Sequence, residues 1–227
     1  MSTLPALSVP GHDLVVVDVE GNGQQPPEVI EIAVLPLTRG QDTTPADLRT
    51  WLVHPTRPIT GLVTGKVHGI SNDDVATAPR WPEVADDITA ALGRRAVVAH
   101  NASVERRVLA AHLPDWQPPL WLDTLRLAKA VWPGLAGGYG LDNLIRHSAL
   151  PPPELTAWRF DNQAVTPPGR HRAGYDTWMT ATILITLIRD GRLDADQLLS
   201  AARLPDPTKP RAGNASDDAA PEHGGLW

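Results

Sequence analysis

The chain of 227 residues contains no cysteine, which excludes disulfides and thiolate metal sites. It also has no apolar run long enough to span a bilayer. Met1-Ser2-Thr3-Leu4-Pro5-Ala6 has neither the basic region nor the apolar core of a signal peptide, so a cytoplasmic protein without a membrane partner is expected. Positive charge is short as well, with 20 Lys and Arg against 26 Asp and Glu, a net charge of −6 and a pI near 5.7. That balance argues against a protein that coats nucleic acid through bulk positive charge. It does not exclude an enzyme that grips a chain end through bound metals.

What is present suits one soluble α/β domain, with 42% hydrophobic and 20% charged residues. The 23 prolines and 18 glycines fall mostly between periodic segments, as loop punctuation. Strands are expected at Leu14–Glu20, Glu28–Leu35 and Leu48–Val53, joined by short connections as an antiparallel meander. The period then changes. Helices are expected at Asp73–Val75, Trp81–Leu92, Ala102–His112, Asp123–Val131, Leu141–His147, Tyr175–Ile188 and Asp194–Arg203. Short strands at Ala96–Ala99 and Leu120–Leu122 alternate with them. The sum is a mixed five-stranded sheet with helices on both faces. Residues 1–10 read as an N-terminal extension, 11–204 as the domain, and 205–227 as a tail expected to be disordered. Residues 151–170 hold five prolines and read as a long loop.

The chain is organised around Leu14-Val15-Val16-Val17-Asp18-Val19-Glu20-Gly21-Asn22-Gly23. Strand side chains alternate faces, so Asp18 and Glu20 point the same way and Val17 and Val19 the other. Two like charges about 4 Å apart repel by roughly 4 kcal/mol at an effective dielectric near 20. A divalent cation is the simplest compensation. Three other places offer residues that could meet these acids: His100-Asn101-Ala102-Ser103-Val104-Glu105, where a buried strand gives way to a helix; Asp176, at the start of the apolar helix; and His171, in the preceding loop.

This order resembles the three motifs of the DEDDh 3′–5′ exonucleases, the group of the bacterial polymerase III proofreading subunit and oligoribonuclease. The first is Asp18-Val19-Glu20. The second, approximately His-Asn-Ala-x-Phe-Asp in the family, is here His100 to Glu105. The third, His-x4-Asp, is His171 to Asp176. Smaller echoes are Glu31-Ile32, His68-Gly69-Ile70 and Asp123-Thr124. The resemblance spans residues 13 to about 190 and implies an RNase H-like fold. It also implies two Mg²⁺ or Mn²⁺ ions held by Asp18, Glu20, Glu105 and Asp176, with His171 as general base toward water. Single-stranded DNA or RNA 3′ ends, or short oligonucleotides, would be the partners, and nucleoside 5′-monophosphates the product. Gly21, Asn22, Gly23, His68 and Asn101 would contact the terminal nucleotide.

Two departures stand out. Glu105 replaces the family's aspartate and is longer by one methylene, roughly 1.5 Å of bond. Gly21-Asn22-Gly23 stands where Thr-Thr-Gly is frequent in the family. A phosphodiesterase for dinucleotides or modified nucleotides is the rival enzyme. A nucleic-acid-binding module weakened in catalysis by Glu105 is the rival outside enzymes. Asn101 is equally a helix-capping candidate. Arg159, Arg170 and Arg172 are candidates for phosphate contacts or plain solvated surface. Trp158 and Phe160 are candidates for base stacking or for pinning the long loop.

Overall fold

A computed structural model describes residues 3–5, 11–151 and 169–206. The expected loop at 151–170, with Arg159, Trp158 and Phe160, and the expected tail lie mostly or wholly outside these residues.

Five strands form one sheet in the order β3-β2-β1-β4-β5. They are β1 (Leu14–Gly21), β2 (Val29–Leu37), β3 (Arg49–Leu52), β4 (Ala96–Ala99) and β5 (Trp121–Asp123). The first three are antiparallel neighbours, while β4 and β5 add in parallel on the other side of β1. This is the mixed sheet of the RNase H-like topology. The change of direction has a local cause. Short turns can only return a chain antiparallel, whereas β4 and β5 each follow a helix long enough for a crossover. Those helices are α2 (Trp81–Leu92) and α3 (Ser103–His112).

The two faces of the central strand bury different layers. Leu14 and Val16 pack with α4 (Thr124–Val131), α5 (Leu141–His147), α6 (Ala173–Gly191) and α7 (Ala195–Ala202). Val15, Val17 and Val19 pack with α2 and α3. Indole N–H groups fasten the second layer: Trp81 Nε1 donates to the His112 carbonyl at 3.0 Å and Trp116 Nε1 to that of Gly93 at 2.9 Å.

Three of the departures from the sequence reading have a clear physical cause. Asp73–Val75 is a series of turns rather than a helix. The Asp74 carboxylate caps the Ser71 N–H and hydroxyl at 2.8 and 2.7 Å, but Pro79 follows too soon for a helix to grow. A helix not anticipated, α1 (Gly61–Lys66), is six residues with two glycines, too short and too poor in helix formers to signal itself. Finally, α6 begins at Ala173, two residues before Tyr175. Its first N–H is capped from far away, donating to Glu31 on β2 at 2.9 Å.

Candidate active site

Asp18 and Glu20 share the face of β1 that carries Leu14 and Val16, so they point toward α6. Asp176 lies in the first turn of α6 and meets them there. One carboxylate oxygen from each of Asp18, Glu20 and Asp176 lies within 4.8 Å of the other two. Three carboxylates at that spacing offer oxygen donors alone, the chemistry of a hard divalent cation. Their protonation shows the strain of standing together. Burial, then Asp176 and Glu20, push the Asp18 carboxyl well above its usual range. Glu20 is raised by burial and next by Asp176. Asp176 is pushed up to about 7, chiefly by burial, although a hydrogen bond from the His171 backbone opposes the rise. A bound cation would replace these protons and relieve the repulsion.

Glu105 sits in the first turn of α3, buried, and is not a member of that three-acid cluster. Its Oε2 has no hydrogen-bond partner. Burial pushes its carboxyl up to about 8, and the neighbouring Asp123 adds to the rise. Its charge is nevertheless felt at Asp18 and at Glu20. An orphaned buried carboxylate oxygen whose charge reaches the acid cluster fits a positive ligand. Asp123 is differently employed. It caps α4, accepting from Leu125 N–H at 2.9 Å, and also accepts from Asn101 N–H at 3.0 Å.

His171 occupies the turn before α6 with φ 57°, left-handed for a residue that has a Cβ. It is half-buried, and burial followed by the charge of Arg170 lowers its pKa. The imidazole is therefore neutral near pH 7 and available as a proton acceptor.

The residues expected around the terminal nucleotide fall into distinct roles. Asn22 is fully buried. Its Oδ1 accepts from Glu28 N–H at 3.0 Å and Gln24 N–H at 3.2 Å, and its Nδ2 donates to the Arg57 carbonyl at 3.3 Å. The side chain is thus spent on holding the loop after β1. Gly23 has φ +73°, and a Cβ there would sit 2.4 Å from Thr60 Oγ1, so only glycine lets the loop close on α1. Gly21 ends β1 at a register shift beside Glu20. Its carbonyl lies 3.1 Å from His68 Nε2. His68 Nδ1 accepts from Ile70 N–H at 3.0 Å, which leaves Nε2 as the protonated nitrogen donating to Gly21. His68 is buried and steadies the strand end. Asn101 is exposed, with φ 61°, and its Oδ1 accepts from the Ser103 hydroxyl at 3.3 Å.

Two residues carry more of the site than the sequence reading gave them. Glu31 lies directly opposite Glu20 on the neighbouring strand, and like charges in that relation are destabilising. Arg172 answers it. The arginine is neither a phosphate contact nor solvated surface, but is buried in a two-pronged salt bridge to Glu31. The available signal was Glu31 itself, a lone charge inside the apolar run Val29-Ile30-Glu31-Ile32-Ala33-Val34. Arg170 instead pairs with Asp142 at the surface.

A strand-end acid pair, a helix-borne aspartate and a neutral histidine one turn away define a metal-dependent nuclease site on an RNase H-like sheet. The model of the exonuclease family of RNase T type matches residues 15–184. Exodeoxyribonuclease 10 of Escherichia coli K12 is 35% identical over 185 residues, which cover 81% of this chain and 72% of that protein. The DNA polymerase III subunit epsilon-like protein of Rhodobacter capsulatus is 32% identical over 77% of this chain but only 23% of its own length. Among solved structures, exonuclease X in complex with 5′ overhanging duplex DNA superposes with a TM-score of 0.61 at 30% identity, covering 83% of this chain and 98% of that one. Cell-death related nuclease 4, at 18% identity and a TM-score of 0.55, shares the fold. The chain belongs to the DEDDh family of metal-dependent 3′–5′ exonucleases.

Proposed function

We propose that this chain hydrolyses DNA from single-stranded 3′ ends, releasing nucleoside 5′-monophosphates one at a time, with two Mg²⁺ or Mn²⁺ ions held by Asp18, Glu20, Asp176 and Glu105. The observation that carries the metal reading is the three-acid cluster within 4.8 Å. Glu105, with its unpartnered Oε2, supports a fourth ligand. The names of its relatives favour DNA: one is an exodeoxyribonuclease, and another was solved on a duplex with a 5′ overhang.

The bound ions would supply an acidified water and would neutralise charge on the scissile phosphate. The residues of this chain do the rest. Asp18, Glu20 and Asp176 fix the ions at the end of β1, and His171, neutral near pH 7, takes the proton of the attacking water. Gly21 and Gly23, with Asn22 holding their loop closed, bound the space for the last nucleotide. Asn101, exposed beside the site, offers its side chain to the same nucleotide.

The test is a panel of 3′-accessible substrates with each metal: single-stranded DNA, the matching RNA, and dinucleotides. Mononucleotide release from DNA at rates well above the other two supports the reading. Faster turnover of RNA or of dinucleotides than of DNA refutes the substrate assignment.

A further inference from the structure

Beside the acid cluster, and outside the three-carboxylate group, lies a buried ion pair. Glu31 and Arg172 are 1% and 4% exposed. Arg172 Nε donates to Glu31 Oε2 at 2.9 Å and Nη2 to Oε1 at 2.6 Å, a planar fork on a carboxylate. The same Oε2 accepts the Ala173 N–H at 2.9 Å, so one carboxylate both clasps the arginine and caps α6. The Arg172 carbonyl accepts the Asp176 N–H at 3.0 Å, the first helical bond behind the metal-facing aspartate. The next residue back is His171, at φ 57°.

The need for such a clasp follows from this backbone. A left-handed residue with a Cβ is strained and relaxes unless its surroundings hold it. His171 ends the turn; its own backbone bonds the Asp176 carboxyl, and among the described residues on its far side the exposed Arg170–Asp142 pair holds the chain. The rigid anchor is on the near side, where the Arg172 side chain is pinned to the sheet. A buried ion pair is a poor way to gain stability, since apolar residues of the same volume do as well or better. Its use is directional: the guanidinium fork fixes both the position and the rotation of the segment that bears it.

We propose that the Glu31–Arg172 pair is a positioning device for His171, locking the turn before α6 so that the imidazole meets the attacking water in one orientation. The proposal rests on the reading of His171 as general base. Arg172 is then a positioning residue acting through His171, and Glu31 acts through Arg172.

The experiment uses the full chain with Mn²⁺ and a labelled single-stranded DNA, comparing Arg172→Lys, Glu31→Gln, His171→Ala and the double variant His171→Ala/Arg172→Lys. Arg172→Lys keeps the charge and loses the fork. It is expected to lower kcat by about 10- to 100-fold, the cost of misplacing a reacting group by about 1 Å. KM stays within about twofold. Mn²⁺ affinity, read from the spin-resonance signal of the free ion, stays unchanged. In the His171→Ala background the same substitution costs nothing further, because its target is gone. Glu31→Gln gives the same fall in kcat, again lost in the His171→Ala background, and serves if the arginine variant does not fold; Mn²⁺ affinity is read on Arg172→Lys alone, because the Glu31 charge acts on Asp18, Glu20 and Asp176. An equal loss with and without His171 overturns the proposal. So does a fall in Mn²⁺ affinity in proportion to kcat, or a lowered melting temperature with kcat intact. If His171→Ala alone leaves kcat unchanged, the base assignment falls and takes the proposal with it. If His171→Ala is inactive while Arg172→Lys is not, only the positioning role falls.

Discussion

Raising the pH from 7 to 8.5 in the absence of metal should weaken this protein, and saturating Mn²⁺ should abolish the effect. The sign follows from the raised carboxyls. Asp176 is pushed up to about 7 and Glu105 to about 8, whereas both are ionised near pH 4 in an unfolded chain. The folded state therefore holds surplus protons, and stability is lost as pH rises through the folded values. Each surplus proton contributes about 1.4 kcal/mol per pH unit. Between pH 7 and 8.5 Asp176 gives up its last half proton and Glu105 most of a proton, together roughly 2 kcal/mol. Asp18 and Glu20, also raised, act in the same direction. The histidines lowered by burial, His68, His100 and His171, are already neutral in both states over most of this window and contribute little. For a domain of this size the loss corresponds to a fall in Tm of about 4–8 °C. The assay is a thermal melt in chelator at both pH values, repeated with Mn²⁺. Asp176→Asn serves as a control and should raise the metal-free Tm at pH 8.5 while removing the stabilisation by metal. A metal-free Tm that is flat or rising, or the same slope with and without Mn²⁺, refutes the account of the acid face.

Three further outcomes follow from single residues. Asn22→Ala strips the loop after β1 of two acceptor bonds and two donor bonds, at a cost of about 2–3 kcal/mol; a chemical denaturation curve unchanged from wild type would contradict the structural part assigned to this side chain. Gly23→Ala adds to its left-handed backbone a contact of 2.4 Å with Thr60 Oγ1, whereas Gly11→Ala, at φ +79° with nothing within 4 Å, bears the backbone cost alone; the first should destabilise by about 1 kcal/mol or more beyond the second, and equal melting shifts would remove the clash. Glu105→Gln removes a buried charge with an orphaned oxygen, so it should raise metal-free stability at pH 8.5 while lowering activity about 10- to 100-fold; full activity in that variant would take Glu105 out of the metal site.

Much of this could be read from the residues because the informative elements are locally determined. The alternation in Leu14–Glu20 already assigned Asp18 and Glu20 to one face, and the structure places Leu14 and Val16 on that same face and the odd valines on the other. The strand at Ala96–Ala99 and the helices at Trp81–Leu92 and Leu141–His147 agree residue for residue; Pro82 and Gly93 frame the first helix and Gly140 opens the second. What escaped the sequence is tertiary. The start of α6 is set by a carboxylate 142 residues away. The partner of Glu31 could not be read from an arginine that follows two other polar residues, Arg170 and His171. Asn22 is expected beside the terminal nucleotide from its place in the family pattern; that the Glu28 loop folds over it and buries the amide is a tertiary fact. Glu105 reads in sequence as a longer replacement for aspartate, and the structure sets it outside the three-acid cluster and beside Asp123.

The central claim is that the acid cluster of Asp18, Glu20 and Asp176 runs a metal-dependent 3′–5′ hydrolysis. The most direct measurement is the release of nucleoside 5′-monophosphate from a 3′-end-labelled single-stranded DNA, with Mg²⁺ or Mn²⁺ and then with chelator, for wild type and Asp18→Ala side by side. The account predicts stepwise release from the 3′ end by wild type with metal alone. It predicts none in chelator, and none from Asp18→Ala under either condition. Release that survives chelation, or that Asp18→Ala performs as well as wild type, contradicts it.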